Sequence, residues 1–383
     1  MLNPQTLTRL FKAYRQSNLQ GRYINNAHIL PLLNSCNNGQ VTIKQVGSSV
    51  YNKPIYTMTV GHGDKRILMW SQMHGNESTT TKAVFDLLFA LTAQGEQEMD
   101  AILKQCTITI IPILNPDGAE VYTRFNANAV DLNRDAQLLS QPESIVLSNV
   151  FKSIKPHFCF NLHGQRTIFS AGAANKSATV SFLSPAADAS RSLTMARKKA
   201  MEVIVAMNAV LQQQIPNQVG RYDDGFNLDC VGDTFQQAGV PTILFEAGHF
   251  PDDYQREATR CYIFQALVTA LGYISKTAVS GGNFKPYFDI PENKKLFFDL
   301  LIRQADYQGE LVDVAIQYEE VLKDEEIQFK PILKHVGDLS SHYGHREVGA
   351  NKKTLKIKKN DKNEVFEIVI VKKTGGFSPI NLM

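Results

Sequence analysis

The stretch LMWSQMHGNESTTTKAVFDLLFAL, Leu68 to Leu91, sets a histidine and a glutamate three residues apart between an apolar run and an amphipathic one. The apolar run at 66–72 reads as a strand, and the spacing over 78–93 reads as a helix. His74 and Glu77 therefore fall in the turn between the two, where an imidazole and a carboxylate can be aimed at one point. A lone His-x-x-Glu is common, and by itself it reads first as a polar turn whose glutamate supports the helix N-terminus.

The same strand-then-helix pattern recurs. Runs at 106–114 (CTITIIPIL), 157–163 (HFCFNLH) and 241–248 (PTILFEAG) alternate with helical patterns at 188–213 and 253–274. Short apolar runs between helices predict an α/β fold with a mostly parallel sheet covered on both faces, and such sheets bind ligands beyond the carboxyl ends of their strands. All four runs finish in polar residues: HGNE, NPDG, HGQ and EAGH. After about residue 275 the composition shifts to the turn-rich SGGNFKPYFDIPENK. A helix at about 294–304 and further strand-like runs are expected beyond it. The lysine-rich KKTLKIKK and NEVFEIVIVKK suit exposed or edge strands. We therefore expect a catalytic domain over 1–280 and a small α/β or β accessory module over 285–383 that contributes no chemistry.

With 383 residues and 43% hydrophobic content, the chain can bury a full core. A formal charge of +3, with lysine and arginine scattered among acids, argues against nucleic acid as a partner. No run reaches membrane-spanning length, which argues against membrane insertion. The N-terminal MLNPQTLTRLFKAYRQSNLQGRY is a polar amphipathic helix with no apolar leader core, and five cysteines, an odd number, read as reduced thiols. These features predict a cytoplasmic location. The oligomeric state is not legible.

His163 changes the reading of His74 and Glu77, because it ends another apolar run at the same predicted edge of the sheet. Two histidines and a glutamate form the three-ligand set that leaves a catalytic zinc one open position; a hydrogen-bonded core histidine at an ordinary strand exit is the alternative. In NPDGAEVYTRFNANAVDLNRDA (115–136), the first four residues are a turn signal. Arg124, Asn133 and Arg134 follow with few acids nearby, a grouping suited to an anionic group or a developing oxyanion. Asp131 reads either as a partner of one of these arginines or as the acceptor that fixes the tautomer of a metal-bound histidine. Glu246 ends a run of Ile, Leu and Phe, so it should be partly desolvated and raised in pKa, as suits a general base; capping the following turn is the plain alternative.

In this order the motifs resemble the zinc carboxypeptidase family, in its bacterial metallocarboxypeptidase-like form: His74-x-x-Glu77, Arg124, Asn133-Arg134, His163 and a late Glu246, over roughly 45–275. The resemblance implies a mostly parallel mixed sheet with helices on both faces. It also implies one zinc ion per chain on His74, Glu77 and His163, with Asp131 holding the His74 ring. Arg124 would stabilise the oxyanion, and Asn133 and Arg134 would clamp the substrate's terminal carboxylate. Glu246 would deprotonate the zinc-bound water that attacks the amide. The family's mobile tyrosine has Tyr222 as its best match, in a loop unlike the family's, where Arg221 or Asp224 could take part instead. The terminal side-chain pocket is expected at about 224–235; Asp224, Asp229 and Asp233 there would favour a cationic terminal side chain if one points inward, and otherwise form a solvated acidic loop, which is the reading preferred. The substrate is then a peptide or a small acyl-amino acid. Three alternatives stay open: an amidohydrolase resembling aspartoacylase and succinylglutamate desuccinylase, a cell-wall peptide hydrolase, and a zinc-binding module without activity.

Overall fold

A computed structural model describes residues 2–36, 39–371 and 377–382, and the chain divides into two compact units. One unit runs to Gln165 and resumes over Ala178–Asn293; the other comprises Arg166–Ser177 and the chain from Lys294 onward.

The first unit is built on an eight-stranded sheet. Its order is Val41–Ser48, Pro54–Val60, Cys106–Ile111, Lys65–Ser71, Phe158–Gly164, Thr242–Ala247, Val180–Leu183 and Val219–Arg221. The four strands from Cys106–Ile111 to Thr242–Ala247 are parallel, and antiparallel pairings join them to the strands on both sides. This is the mostly parallel mixed α/β sheet expected. Strand alternation divides the core in two. Ile67 and Met69 pack on one face with the helices Thr79–Leu91 and Glu257–Lys276, while Leu68 and Trp70 pack on the other with Leu147, Cys159 and Phe235. Both faces are covered, so the run reads as continuously apolar.

The helix Thr79–Leu91 departs from its amphipathic reading, because its polar face is buried as well. Lys82 donates to Gly21 O at 2.6 Å and pairs with Glu257 at 2.6 Å. Four residues on, Asp86 pairs with Arg260 at 2.6 Å and accepts from Gln16 N at 2.8 Å. The chain N-terminal to the sheet thus lies over this helix, and its charges are paired because they have lost water. Among the described residues, no helix is long and apolar enough to cross a membrane.

The second unit corrects two expectations. The helix expected at about 294–304 is the strand Phe297–Tyr307, which lies between Glu310–Lys323 and Tyr343–Gly349 in a four-stranded sheet. Leu300, Leu301 and Ile302 are consecutively buried on its two faces, and a strand covered on both sides loses the period-two signal that separates it from a helix. The expected division at 280–285 falls instead between Asn293 and Lys294, and the segment 166–177 belongs with the later residues. That segment is held by distant partners: Phe297 N donates to Ile168 O, Tyr343 donates its hydroxyl to Ala173 O, and Gln317 donates to Thr167. Of the two lysine-rich runs, Leu355–Lys359 lies at the edge of a three-stranded sheet and Val365–Val371 in its middle.

Candidate metal centre and active site

His74, Glu77, His163 and Glu246 lie at or just past the carboxyl ends of parallel strands, and Arg124, Asp131, Asn133 and Arg134 lie in the chain that follows the strand Cys106–Ile111 and the helix Pro116–Glu120. After Lys65–Ser71 the chain turns at Gln72, whose φ of 43° lies in the left-handed region. Gln72 is fully buried; its amide donates to Gly75 O at 2.8 Å and accepts from Thr81 at 2.7 Å, fixing the HGNE turn from within. Gly75 is required by close approach, since a Cβ there would lie 2.0 Å from the carbonyl carbon of Gly118. NPDG is therefore a buttress. Asn115 donates its backbone N–H to Gln72 O at 3.0 Å and its amide to Met73 O at 3.2 Å, which locks the second strand exit against the first.

The three expected ligands meet. His74 Nδ1 lies 2.9 Å from Glu77 Oε1, His163 Nδ1 lies 2.9 Å from Glu77 Oε2, and the two Nδ1 atoms are 3.1 Å apart. Both rings are 2% exposed, so water cannot separate them. On its far side His74 Nε2 donates to Asp131 Oδ1 at 3.0 Å, which leaves the lone pair of Nδ1 facing the cluster. Lone pairs and a carboxylate converging in this way repel one another unless a proton or a cation sits among them. Two imidazole nitrogens and a carboxylate oxygen, all within 4.8 Å, fit a zinc ion.

The charges tell the same story. Burial works to raise the pKa of Glu77, but the two imidazoles outweigh it and hold the carboxyl far below the usual range. Burial works to lower His74, yet Glu77 and Asp131 raise it overall, whereas burial prevails at His163 and lowers it. Asp131 has both of the partners considered for it. Oδ1 accepts from His74 and from Asn133 N at 2.9 Å, and Oδ2 accepts from Arg124 at 3.0 Å. Despite burial, these partners keep it well below the ordinary carboxylate range.

Glu246 lies directly opposite His163 in the neighbouring parallel strand. Its Oε2 is buried with no hydrogen-bond partner, and burial together with repulsion from Glu77 pushes its pKa well above the usual range. Arg124 has an Nη1 atom 3.7 Å from Glu77. Arg134 is exposed and donates to Asn133 O at 2.7 Å, and Asn133 Oδ1 accepts from Val231 N at 3.1 Å. Tyr222 follows the strand Val219–Arg221, which is separated from that of Glu246 by Val180–Leu183.

The acids expected in one solvated loop divide. Asp224 is paired with Arg197 at 2.6 Å and Arg191 at 3.1 Å, and Arg221 is occupied by Glu292 at 2.9 Å. Asp229 is exposed, but Asp233 is buried in the first turn of the helix Val231–Gln237. Two supporting residues escaped the sequence reading. Gln72 precedes the motif, and Asn126 gathers its loop by accepting from Asn128 N and Val130 N while donating to Gln141 and Glu143. A buried amide next to a charged motif carries no periodic signal; the repeated asparagines of NANA were the only hint.

Comparison with known proteins agrees with this geometry. The family model for zinc carboxypeptidases matches residues 28–272, well over half of the chain, and the chain belongs to that family. Among curated relatives, gamma-D-glutamyl-L-diamino acid endopeptidase 1 of Lysinibacillus sphaericus is 35% identical over 83 residues, covering 20% of this chain and 21% of the relative. Carboxypeptidase 2 of Trichophyton rubrum is 29% identical over 101 residues, covering 26% and 19%. This chain thus spans about a fifth of the length of these relatives. A solved metallo-carboxypeptidase from Burkholderia cenocepacia shares the fold with a TM-score of 0.53 at 17% identity, over 66% of this chain and 69% of that one.

The doubly used Asp131 gives a test. Asp131→Asn should weaken zinc affinity by ~10–100-fold, as expected when the partner of a ligating histidine is altered, with the fold intact by circular dichroism. Chelator competition against the wild type measures it; unchanged affinity would remove Asp131 from the metal's support.

Proposed function

We propose that this chain is a zinc metallocarboxypeptidase that hydrolyses the amide bond next to a free C-terminal carboxylate. The observation that carries this reading is the pairing, across one strand gap, of the His74, Glu77 and His163 donor set, whose two histidines are buried, with a high-pKa Glu246 whose Oε2 is unpartnered. A zinc ion held by those three residues would supply Lewis acidity, lowering the pKa of water and polarising a carbonyl.

The chain's own groups supply the rest. Glu246 Oε2 has no competing donor, so it can take a proton from the attacking water and return it to the leaving amine. Its raised pKa suits both halves of that transfer. The Arg124 guanidinium, part exposed beside Glu77, is placed to meet a carbonyl oxygen as it gains charge. Asn133 and Arg134 then hold the terminal carboxylate. The bond from Val231 N to Asn133 ties this clamp to the helix that carries Asp233.

Asp233 refines the substrate. Its carboxyl is pushed up to about 6, with burial the largest cause and the guanidiniums of Arg134 and Arg197 opposing it. Beside the clamp it favours a terminal residue whose side chain carries an ammonium or a guanidinium. A wall-peptide substrate is the second reading, favoured by the Lysinibacillus relative, whose name specifies a diamino acid and hence a second amine.

Two results are expected. Amidating the C-terminus of a good substrate should lower kcat/KM by ~30-fold or more, since a charge-assisted pair in a partly dry cleft is worth roughly 2 kcal/mol or more, and should make little further difference in Arg134→Ala. Equal cleavage of free and amidated peptides by the wild type would end the carboxypeptidase reading. Asp233 is neutral below about pH 6 and charged above it. Preference for a lysine over a norleucine terminus should therefore rise on the order of tenfold between pH 5 and 7, and Asp233→Asn should flatten the rise. A ratio independent of pH in the wild type would remove Asp233 from recognition.

A further inference from the structure

Ladder pairing between the strands that carry His163 and Glu246 ends with Gly164 opposite Ala247, followed by one bond from Gln165 N to Ala247 O at 3.0 Å. Both side chains therefore sit on the last rungs, where neighbouring strands begin to part. Gly164 matters in its own right, because its N–H donates to Glu77 Oε2 at 3.0 Å. Any splaying of the two exits would shift that carboxylate together with the His163 ring.

One side chain closes the gap. Arg256 is 1% exposed, and its guanidinium donates from Nη1 to Ala247 O at 3.3 Å and from Nη2 to Gln165 O at 3.1 Å. It thereby adds a side-chain rung just past the last backbone one. A guanidinium is a rigid planar fork with separate donors, so it can hold two carbonyls on adjacent strands at a fixed distance; the single ammonium of lysine cannot reproduce that geometry. Arg256 takes this position in the left-handed region, with φ 62° and ψ 28°, immediately before the helix Glu257–Lys276. As the N-cap of that helix it makes no side-chain capping bond, and Asp253 accepts the backbone N–H groups of Glu257, Ala258 and Thr259 instead.

We infer that Arg256 is a positioning residue which fixes the separation of the two strand exits, and through Gly164 the orientation of Glu77 in the donor cluster. The inference rests on the proposed zinc site but not on the identity of the substrate. Arg256→Lys in the full chain tests it, with zinc affinity by chelator competition, thermal melting, and kcat and KM read on one preparation. The expected result is a folded protein with about one zinc per chain, an affinity weakened by about tenfold, and a kcat reduced by a similar factor at unchanged KM. An affinity of the folded protein equal to wild type would overturn the inference, as would full function with lysine, which would show that charge and not the fork matters. Loss of the fold in Arg256→Lys, which keeps the charge, would overturn it equally by assigning the residue to folding. If the wild type binds zinc but cuts no C-terminal amide, the proposed function fails while the affinity comparison still decides the role of Arg256.

Discussion

One carboxylate joins the site. Glu77 receives His74 from its own turn, His163 from the next strand and the N–H of Gly164 beside it, all at about 3 Å. The contacts from His163 and Gly164 do not survive a slip of one strand past the other, because a one-residue shift would turn His163 to the opposite face of the sheet. The apolar packing on both faces sets that register, with Ile67 and Met69 on one side and Leu68 and Trp70 on the other. Sheet and site are consequently one construction: the core sets the register, and the register makes the donor cluster.

The cluster also sorts its carboxylates. Glu77 and Asp131 face imidazoles and a guanidinium and are held ionised despite burial, whereas at Glu246, across from His163, burial and the charge of Glu77 outweigh the opposing Arg124 guanidinium and push it the other way. Environments that drive neighbouring carboxyl groups apart in pKa can divide ligand from proton carrier, the roles proposed above for Glu77 and Glu246, and here the difference follows from which partners each strand exit supplies.

The polar strand ends and their order were legible in the sequence, because each motif closes an apolar run and the chemistry of histidine, glutamate and arginine limits what such ends can do. The supports were not. Gly75 reads as a turn glycine, yet its need comes from the backbone of Gly118, a contact made only in three dimensions. Asp233 looked like one of three loop acids until burial set it apart from Asp224, which two arginines neutralise, and from the exposed Asp229. In the second unit, Phe297–Tyr307 is covered on both faces and so lost its strand period, and the segment 166–177 is held by residues more than a hundred positions away. Local pattern shows what a residue can do; long-range packing decides which residues are held ready to do it.

The central claim is that His74, Glu77 and His163 hold the metal while Glu246 carries the proton beside it. Replacing Glu246 by glutamine tests both parts in one protein. The account predicts zinc content and substrate affinity equal to wild type, with kcat lower by the ~10²-fold or more typical of losing a general base. Loss of zinc from Glu246→Gln, or undiminished turnover with zinc in place, would contradict it.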